Sequence, residues 1–396
     1  MLLRRAGLRL LLLTYILLAS TSLLAQSAPP VAPADPEDGQ GIDVDFLFNY
    51  YDQDGNRSPV TGGIGSEDLQ VITPVIVLKW QKSDRWSFSS NLGVDNITSA
   101  STDNIDDDVS SASRLDNRAH VTFAANRTAE SQRVGFNLGF SKEYDYSSFS
   151  GGLSWSRDFN QKNTTLSASL QHYSDTVELY DIDGVLRGED DRTTTDFSLS
   201  VTQVLGKRTV GTLELYSSQQ DGFLSTPFHE VILADGVGGL SGERVAERLP
   251  DTRSRMAVGL HLNHAFSKKV VQRGSLRFYD DDWGVTSMTL SLETHFRLPT
   301  RLEMWAFPIL RYYDQDESDY YGAPRVFTLA DPFFTADRDL GEFSGEKFGV
   351  GWKVNLGRRK GGVLRSLRSF ETRITSYSQD DGFDALSVSW GVGWSF

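Results

Sequence analysis

Three sets of side chains in this 396-residue sequence could do chemistry. His172 and Ser174 are two positions apart, so an extended strand puts them on one face, with Asp175 next in the chain. An imidazole that takes the proton of a serine hydroxyl makes an ester-cleaving nucleophile. The second set is charged. Acids lead early, with Asp43, Asp45, Asp95 and Asp196. Cations lead later, with Arg255, Arg273, Arg277, Arg297, Arg301, Arg311, Lys353 and Arg373, interleaved with Glu293, His295, Glu303 and Glu371. Two such walls facing across a cavity would set up a transverse field that favours polar or charged solutes, whereas cross-strand pairs of the same groups would brace the structure. The third set repeats tyrosine followed by acids: Tyr50-Tyr51-Asp52-Gln53-Asp54, Tyr216 to Asp221, Tyr279-Asp280-Asp281-Asp282, Tyr312-Tyr313-Asp314-Gln315-Asp316 and Tyr377 to Asp381. Those acids could bind divalent cations or form a solvated rim above an aromatic girdle. Asp52, Asp54 and Asn56 begin like a calcium loop, but the position twelve along is Gly63 and not a bidentate glutamate. His261 and His264 fall on opposite faces of a strand, no phosphate loop or metal motif is present, and no cofactor is expected.

The elements that must carry these groups are strands. From Leu386 the even positions are Leu386, Val388, Trp390, Val392, Trp394 and Phe396, and the odd ones are Ser387, Ser389, Gly391, Gly393 and Ser395. Strict alternation puts an apolar face on one side and a small polar face on the other. Sixteen segments alternate, near 42–51, 69–82, 85–97, 114–127, 131–144, 146–158, 162–174, 193–205, 208–220, 252–266, 269–280, 283–298, 300–313, 346–357, 367–379 and 383–396. Short connections (Ser83-Asp84, Asn160-Gln161, Gly206-Lys207, Ser267-Lys268, Pro299) alternate with long acidic ones (52–68, 98–113, 175–192, 221–251, 314–345). Short turns on one side and long loops on the other mark an outer-membrane barrel with periplasmic turns. In hydrocarbon an unpaired backbone group costs several kcal/mol, so a sheet that enters the bilayer has to close.

The fold class is therefore all-β, a transmembrane antiparallel up-and-down barrel of about sixteen strands. Glu293, Arg297 and Lys353 fix the register, because a one-residue slip would put them in lipid. A turn at Pro299 would set His295 opposite Glu303 and Arg297 opposite Arg301. Loops 221–251 and 314–345 carry exposed-looking apolar residues, among them Phe223, Leu224, Phe327 and Phe334. Such loops would either fold into the lumen or pack together as an extracellular cap.

Arg4, Arg5 and Arg9, the apolar run Leu10 to Leu18 and the small residues before Gln26 form a secretory signal peptide over 1–25. Residues 26–41 are rich in Pro, Ala and acids and predict a disordered periplasmic tail, and 42–396 make the barrel. The absence of Cys excludes disulfides and a lipoprotein anchor. A net charge of −14 argues against nucleic acid. Expected partners are outer-membrane lipid and lipopolysaccharide.

Several resemblances add to this reading. The final strand, with Trp390, Val392, Trp394 and Phe396, resembles the C-terminal strand of bacterial outer-membrane barrels, which implies that the barrel-assembly machinery reads it. His172-x-Ser174 resembles the pattern of outer-membrane phospholipases and lipid A deacylases, although those follow the serine with Asn and here Asp175 follows. Four longer stretches resemble a large bacterial family described as a domain of unknown function and expected to form outer-membrane barrels. They are Asp84-Arg85-Trp86-Ser87 with Val94 to Ser101, Asp221 to Phe228, Arg248-Leu249-Pro250-Asp251-Thr252-Arg253, and Arg277-Phe278-Tyr279-Asp280-Asp281-Asp282-Trp283-Gly284-Val285-Thr286-Ser287. Where that family often has His after the last Ser, this chain has Met288. The resemblance implies a barrel and names no substrate. A pore or transporter for small polar solutes is the expected function. The alternatives are a closed barrel acting as a surface partner and, more remotely, a lipid hydrolase at His172 and Ser174.

Overall fold

The computed structural model describes residues 41–396 apart from 100–101, 104–113, 181–184, 227–228, 235–241, 358–362 and 364–365. The expected signal peptide and all but the last residue of the expected tail lie outside the described residues. Gly41 already belongs to the first strand.

The chain closes into one antiparallel barrel in which each strand pairs with its neighbour in sequence and the last pairs with the first. The strands are β1 (Gly41–Gly55), β2 (Leu69–Ser83), β3 (Trp86–Ser99), β4 (Arg114–Ala129), β5 (Gln132–Lys142), β6 (Tyr146–Phe159), β7 (Thr164–Tyr180) and β8 (Leu186–Gly206). They continue as β9 (Thr209–Gly222), β10 (Thr252–Ser267), β11 (Val270–Asp281), β12 (Thr286–Arg297), β13 (Glu303–Gln315), β14 (Phe343–Asn355), β15 (Leu367–Gln379) and β16 (Phe383–Ser395). Closure is completed at the end of the chain, where Phe396 N–H donates to Ile42 O at 2.8 Å and Ile42 N–H to Phe396 O at 3.1 Å. No strand edge is left for lipid to strip.

Alternation decides what each face meets. Phe46, Phe123, Phe136, Phe140, Leu153, Leu260, Phe278 and Phe348 all lie exposed on the outside. Trp390 joins this belt, stacked on Phe48 of the first strand with centroids 5.0 Å apart. A closed barrel with such a belt belongs in a bilayer, and the protein is an outer-membrane β-barrel. A barrel of this strand number is too wide to be filled by its own wall residues alone.

Three expectations are corrected. The turn between β12 and β13 is not Pro299 alone but runs from Leu298 to Leu302, closed by Thr300 Oγ1 donating to Leu302 O at 2.7 Å. Arg297 therefore stands opposite Trp305, and His295 stacks on Phe307 instead of facing Glu303. Arg301 is exposed in that turn and lines no wall. Segment 175–192 is not a plain loop. β7 and β8 stay paired through Asp175↔Arg192 up to Leu186↔Tyr180, and the 21 residues of β8 span about 70 Å, well beyond the hydrocarbon. Finally, the recurring tyrosines do not all form an outer girdle. Tyr50 and Tyr312 take the outer face, whereas Tyr51, Tyr216, Tyr279, Tyr313 and Tyr377 fall on the inward parity of their strands.

Candidate functional site

The lumen is organised as tiers on one wall. Low on β12–β15, Arg373 donates to Glu293 and to Glu371 at 2.8 Å each, and Lys353 donates to Glu371 at 3.0 Å. His295 lies 3.1 Å from Glu293 and stacks on the Phe307 ring at 4.2 Å, with the Arg373 guanidinium 4.9 Å over the same ring. Phe307 fits because its cross-strand partner is Gly351, where a Cβ would sit 2.0 Å from the ring. This tier balances its charges and braces the wall.

Beside it, Asp45 accepts from Lys79 at 3.2 Å and from Arg368, and Asp43 accepts from Arg368 at 3.0 Å and from Ser395. Sequence reasoning missed Arg368. The shift of register between Leu367 and Ser369 is a bulge that re-aims its side chain toward the lumen, and bulges leave no mark in simple alternation.

Higher up, among the described residues, the cations have no ion-pair partner within reach, the nearest acid on their rows being Glu214, which stands across Gly259 from Arg277. Arg311 and Lys347 are direct cross-strand partners on β13 and β14, and Arg277 stands one strand beyond on β11, separated by Thr289 and Ser291 of β12. Arg277 lies over the Tyr216 ring at 5.5 Å and Lys347 over the Tyr377 ring at 5.9 Å. Lys347 was missed because the sequence placed it at a strand end.

The remaining predicted residues are scattered. Asp95 is fully buried opposite Arg118, whose Nε lies 3.2 Å from Glu143. Asp196 accepts from Tyr216 Oη at 3.0 Å. Arg255 pairs across the sheet with Asp281, and Arg273 with Glu293. At the lower rim Glu303 accepts from Trp305 Nε1 at 3.1 Å. The facing strands carry Asp95, Asp158, Asp175, Asp196 and Glu214 on their inward parity, interspersed with small neutral groups such as Ser89, Asn91, Thr122, Asn137, Ser150 and Gln171. His172 and Ser174 lie exposed on the outer face, and His172 Nδ1 is 2.9 Å from Thr195 Oγ1 of the next strand.

The long loops knit into a cap over the extracellular mouth. Val231, Leu233, Phe334 and Ala336 form one buried apolar cluster, and Leu249, Trp283, Val285 and Leu340 a second. The backbone of loop 56–68 joins them. Gly62 (φ +61°) runs so close to Ala336 O that a Cβ would lie 2.4 Å from it, and Glu230 N–H donates to Val60 O at 2.9 Å. Gln315, at the top of β13, donates to Asp339 O and Gly341 O at 2.8 Å each, which fastens the cap to the wall.

Between the clusters lies buried charge. His229 sits 3.6 Å from Glu247 and 3.7 Å from Asp337. Glu247 also accepts from Thr335 Oγ1 at 2.6 Å, and Gln53 Nε2 donates to Glu67 at 2.9 Å. Burial disfavours the charged imidazole of His229, but Asp337, Glu247 and Asp339 outweigh it and push its pKa up to about 9. Burial, then Asp339 and Asp337, push Glu67 up to about 8 against the pull of His229. Asp337 and Asp339 are both raised, chiefly by burial.

The family model described as "Protein of unknown function (DUF3570)" matches residues 109–387. No curated protein matches the chain in sequence. Among solved structures, a bacterial polysaccharide outer membrane secretin aligns over 91% of this chain and 100% of its own, at 10% identity and TM-score 0.51. OpdK of Pseudomonas aeruginosa, solved with vanillate, aligns over 90% and 99% at 9% identity and TM-score 0.38. The CymD monoaromatic hydrocarbon channel aligns over 91% and 89% at 10% identity and TM-score 0.39. Likeness at these identities concerns the fold alone.

Proposed function

The chain belongs to the DUF3570 family, and we propose from its lumen that it is an outer-membrane channel for small polar solutes, held shut at rest by its own loops. The observation that carries this reading is the contrast between lid and wall. The wall presents cations without ion-pair partners among the described residues, Arg311 and Lys347 foremost, opposite hydroxyls, amides and a few acids, which suits passage of hydrated polar solutes. The lid is fastened at its edges by polar contacts, Arg338 to Asp381 at 2.6 Å and Gln315 to two loop carbonyls, which can be exchanged for water when it lifts. Loops of this length with an ordered core are typically functional.

The outward His172 engages Thr195 across the strand pair, so its geometry adds nothing to a hydrolase reading, and we take the protein as a channel and not an enzyme. A second reading, a surface-exposed docking protein, draws support from Ile64, Val326 and Leu329, which lie exposed on the cap.

The deciding experiment is single-channel recording in planar bilayers together with liposome swelling in small sugars and amino acids. Wild-type protein should give rare openings, and protein lacking residues 322–334 should give frequent ones and faster swelling. No conductance and no swelling from either form would defeat the reading.

A further inference from the structure

We propose that the upper lumen contains a binding site for small carboxylates, built from Arg277, Arg311 and Lys347 with the phenol of Tyr377. The proposal rests on the channel reading and names its solute class.

The argument begins with the register. One row across the sheet runs Arg277, Thr289, Tyr313, Gly345, and the next runs Ser275, Ser291, Arg311, Lys347, Tyr377. All these residues share the inward parity. Thr289, Ser291, Ser275 and Gly345 are small, so the long cationic side chains stand around low ground. Across-strand neighbours keep their Cβ atoms about 5 Å apart, which holds Arg311 and Lys347 within reach of one solute group.

Partners come next. Lower on the same wall Arg373 and Lys353 each have a carboxylate at 3.0 Å or less. Among the described residues, none of Arg277, Arg311 and Lys347 has a salt bridge within 4.0 Å. Two of them rest on tyrosine faces instead, Arg277 on Tyr216 and Lys347 on Tyr377. Like charges gathered away from bulk water repel one another, and a bound anion is what relieves them. A guanidinium offers a planar fork that matches a carboxylate, and an ammonium offers a point charge beside it.

The floor selects the rest of the solute. The next inward residue below Arg311 is Ile309, buried at 8% exposure, and Phe307 follows it. An anion with a short carbon body rests there better than a bare inorganic ion does. On the facing side Asp196 stands directly across from Gln171, but its carboxylate already accepts the Tyr216 phenol at 3.0 Å, and the neighbouring inward groups Asn137 and Ser150 are neutral.

The test uses full-length protein folded in detergent and titrated calorimetrically with succinate and, separately, with its neutral diamide, succinamide. Saturable succinate binding with none for succinamide is expected. Converting Arg311→Gln together with Lys347→Gln should weaken succinate binding by about tenfold or more, since each lost partner is a charge-assisted hydrogen bond. No saturable binding to wild type, equal binding of the diamide, or an unaffected double variant would overturn the site. Heat-modifiable gel mobility reports whether the variant is folded. If it is not, the succinate and succinamide pair on wild type decides alone. Conductance is recorded on the same preparation. A conducting protein that ignores succinate loses this site and keeps the channel, and a succinate-binding protein that never conducts keeps the site and loses the channel.

Discussion

Arg253 and Asp281 form a buried two-point ion pair across 28 residues of sequence, with Nε and Nη2 at 2.9 Å and 2.5 Å from one carboxylate oxygen. Tyr279 Oη donates to that oxygen at 2.6 Å, and the backbone N–H groups of Trp283 and Val285 donate to the other at 3.0 Å each. The guanidinium lies 4.3 Å over the Trp283 ring, whose indole N–H donates to Thr252 O at 2.9 Å. Pro250-Asp251-Thr252-Arg253 and the Asp280-to-Gly284 turn are therefore one joint, which seats the cap on β10 and β11. Removing one member strands a buried charge. Asp281→Asn or Arg253→Gln should each cost about 3–5 kcal/mol, whereas Arg253→Met with Asp281→Leu should cost less than the two singles combined. Urea unfolding followed by tryptophan emission measures all three, and fully additive losses would refute a coupled pair.

The buried charges of the cap predict a pH response with a definite sign. When the cap lifts, His229 and Glu67 return toward their ordinary values of 6.5 and 4.5, from about 9 and about 8 when closed. Both raised values mean that the closed state binds protons more tightly than the open one. The closing contribution of Glu67 is whole below 4.5 and is lost as pH climbs to about 8, and that of His229 is whole below 6.5 and is lost through about 9. Asp337 and Asp339, also raised, act in the same direction. Open probability in bilayers should therefore increase from mildly acid to alkaline pH. His229→Gln should flatten the upper part of that curve and Glu67→Gln the lower part. Opening on acidification would contradict the sign.

What could be seen in the sequence was whatever the period of two enforces. Lipid contact on every second residue fixed sixteen strands and the inward parity of Glu293, Lys353 and Arg373, because any slip would have put those charges in hydrocarbon. Three kinds of information escaped that rule. Turn length was one: Pro299 alone suggested a tight reversal, but the chain used Leu298 to Leu302, which moved Arg297 to Trp305 and took Arg301 off the wall. Local irregularity was another, since the bulge at Leu367/Ser369 brought in Arg368. The third was long-range closure. His229, Glu247 and Asp337 meet only because two loops fold together, and no spacing within either of them announces it. The two ends of the Arg253–Asp281 joint were singled out as stretches, but their contact was not.

Gly351 gives a prediction about the lower tier. Its Cβ position lies 2.0 Å from the Phe307 ring, which is itself held between His295 and Arg373. Gly351→Ala must push that ring out of its seat, at a cost of about 1–3 kcal/mol for overpacking. Gly351→Ala combined with Phe307→Leu should recover part of the loss. Thermal unfolding read by gel mobility distinguishes the two, and a Gly351→Ala protein as stable as wild type would mean that Phe307 is not fixed there.

The last prediction concerns the edge of the cap nearest β15 and β16. Arg338 reaches from loop 316–342 to Asp381 in the turn between those strands, with Nη2 at 2.6 Å and Nε at 3.2 Å from one oxygen, and its Nη1 donates to Tyr321 Oη at 2.8 Å. Both partners are mostly shielded from water, so the contact is worth more than an exposed pair, about 1.5–3 kcal/mol. If this contact exists only in the closed state, losing it shifts the open-to-closed ratio by roughly 10- to 150-fold. Arg338→Gln should therefore raise the open probability without lowering the unfolding midpoint of the barrel, whose strand pairing it does not touch. Arg338→Asp alone should open the channel as well, and Arg338→Asp with Asp381→Arg should close it again in part. Single-channel recordings of the three variants test the point, and an unchanged open probability in Arg338→Gln would show that this edge of the cap does not move when the channel opens.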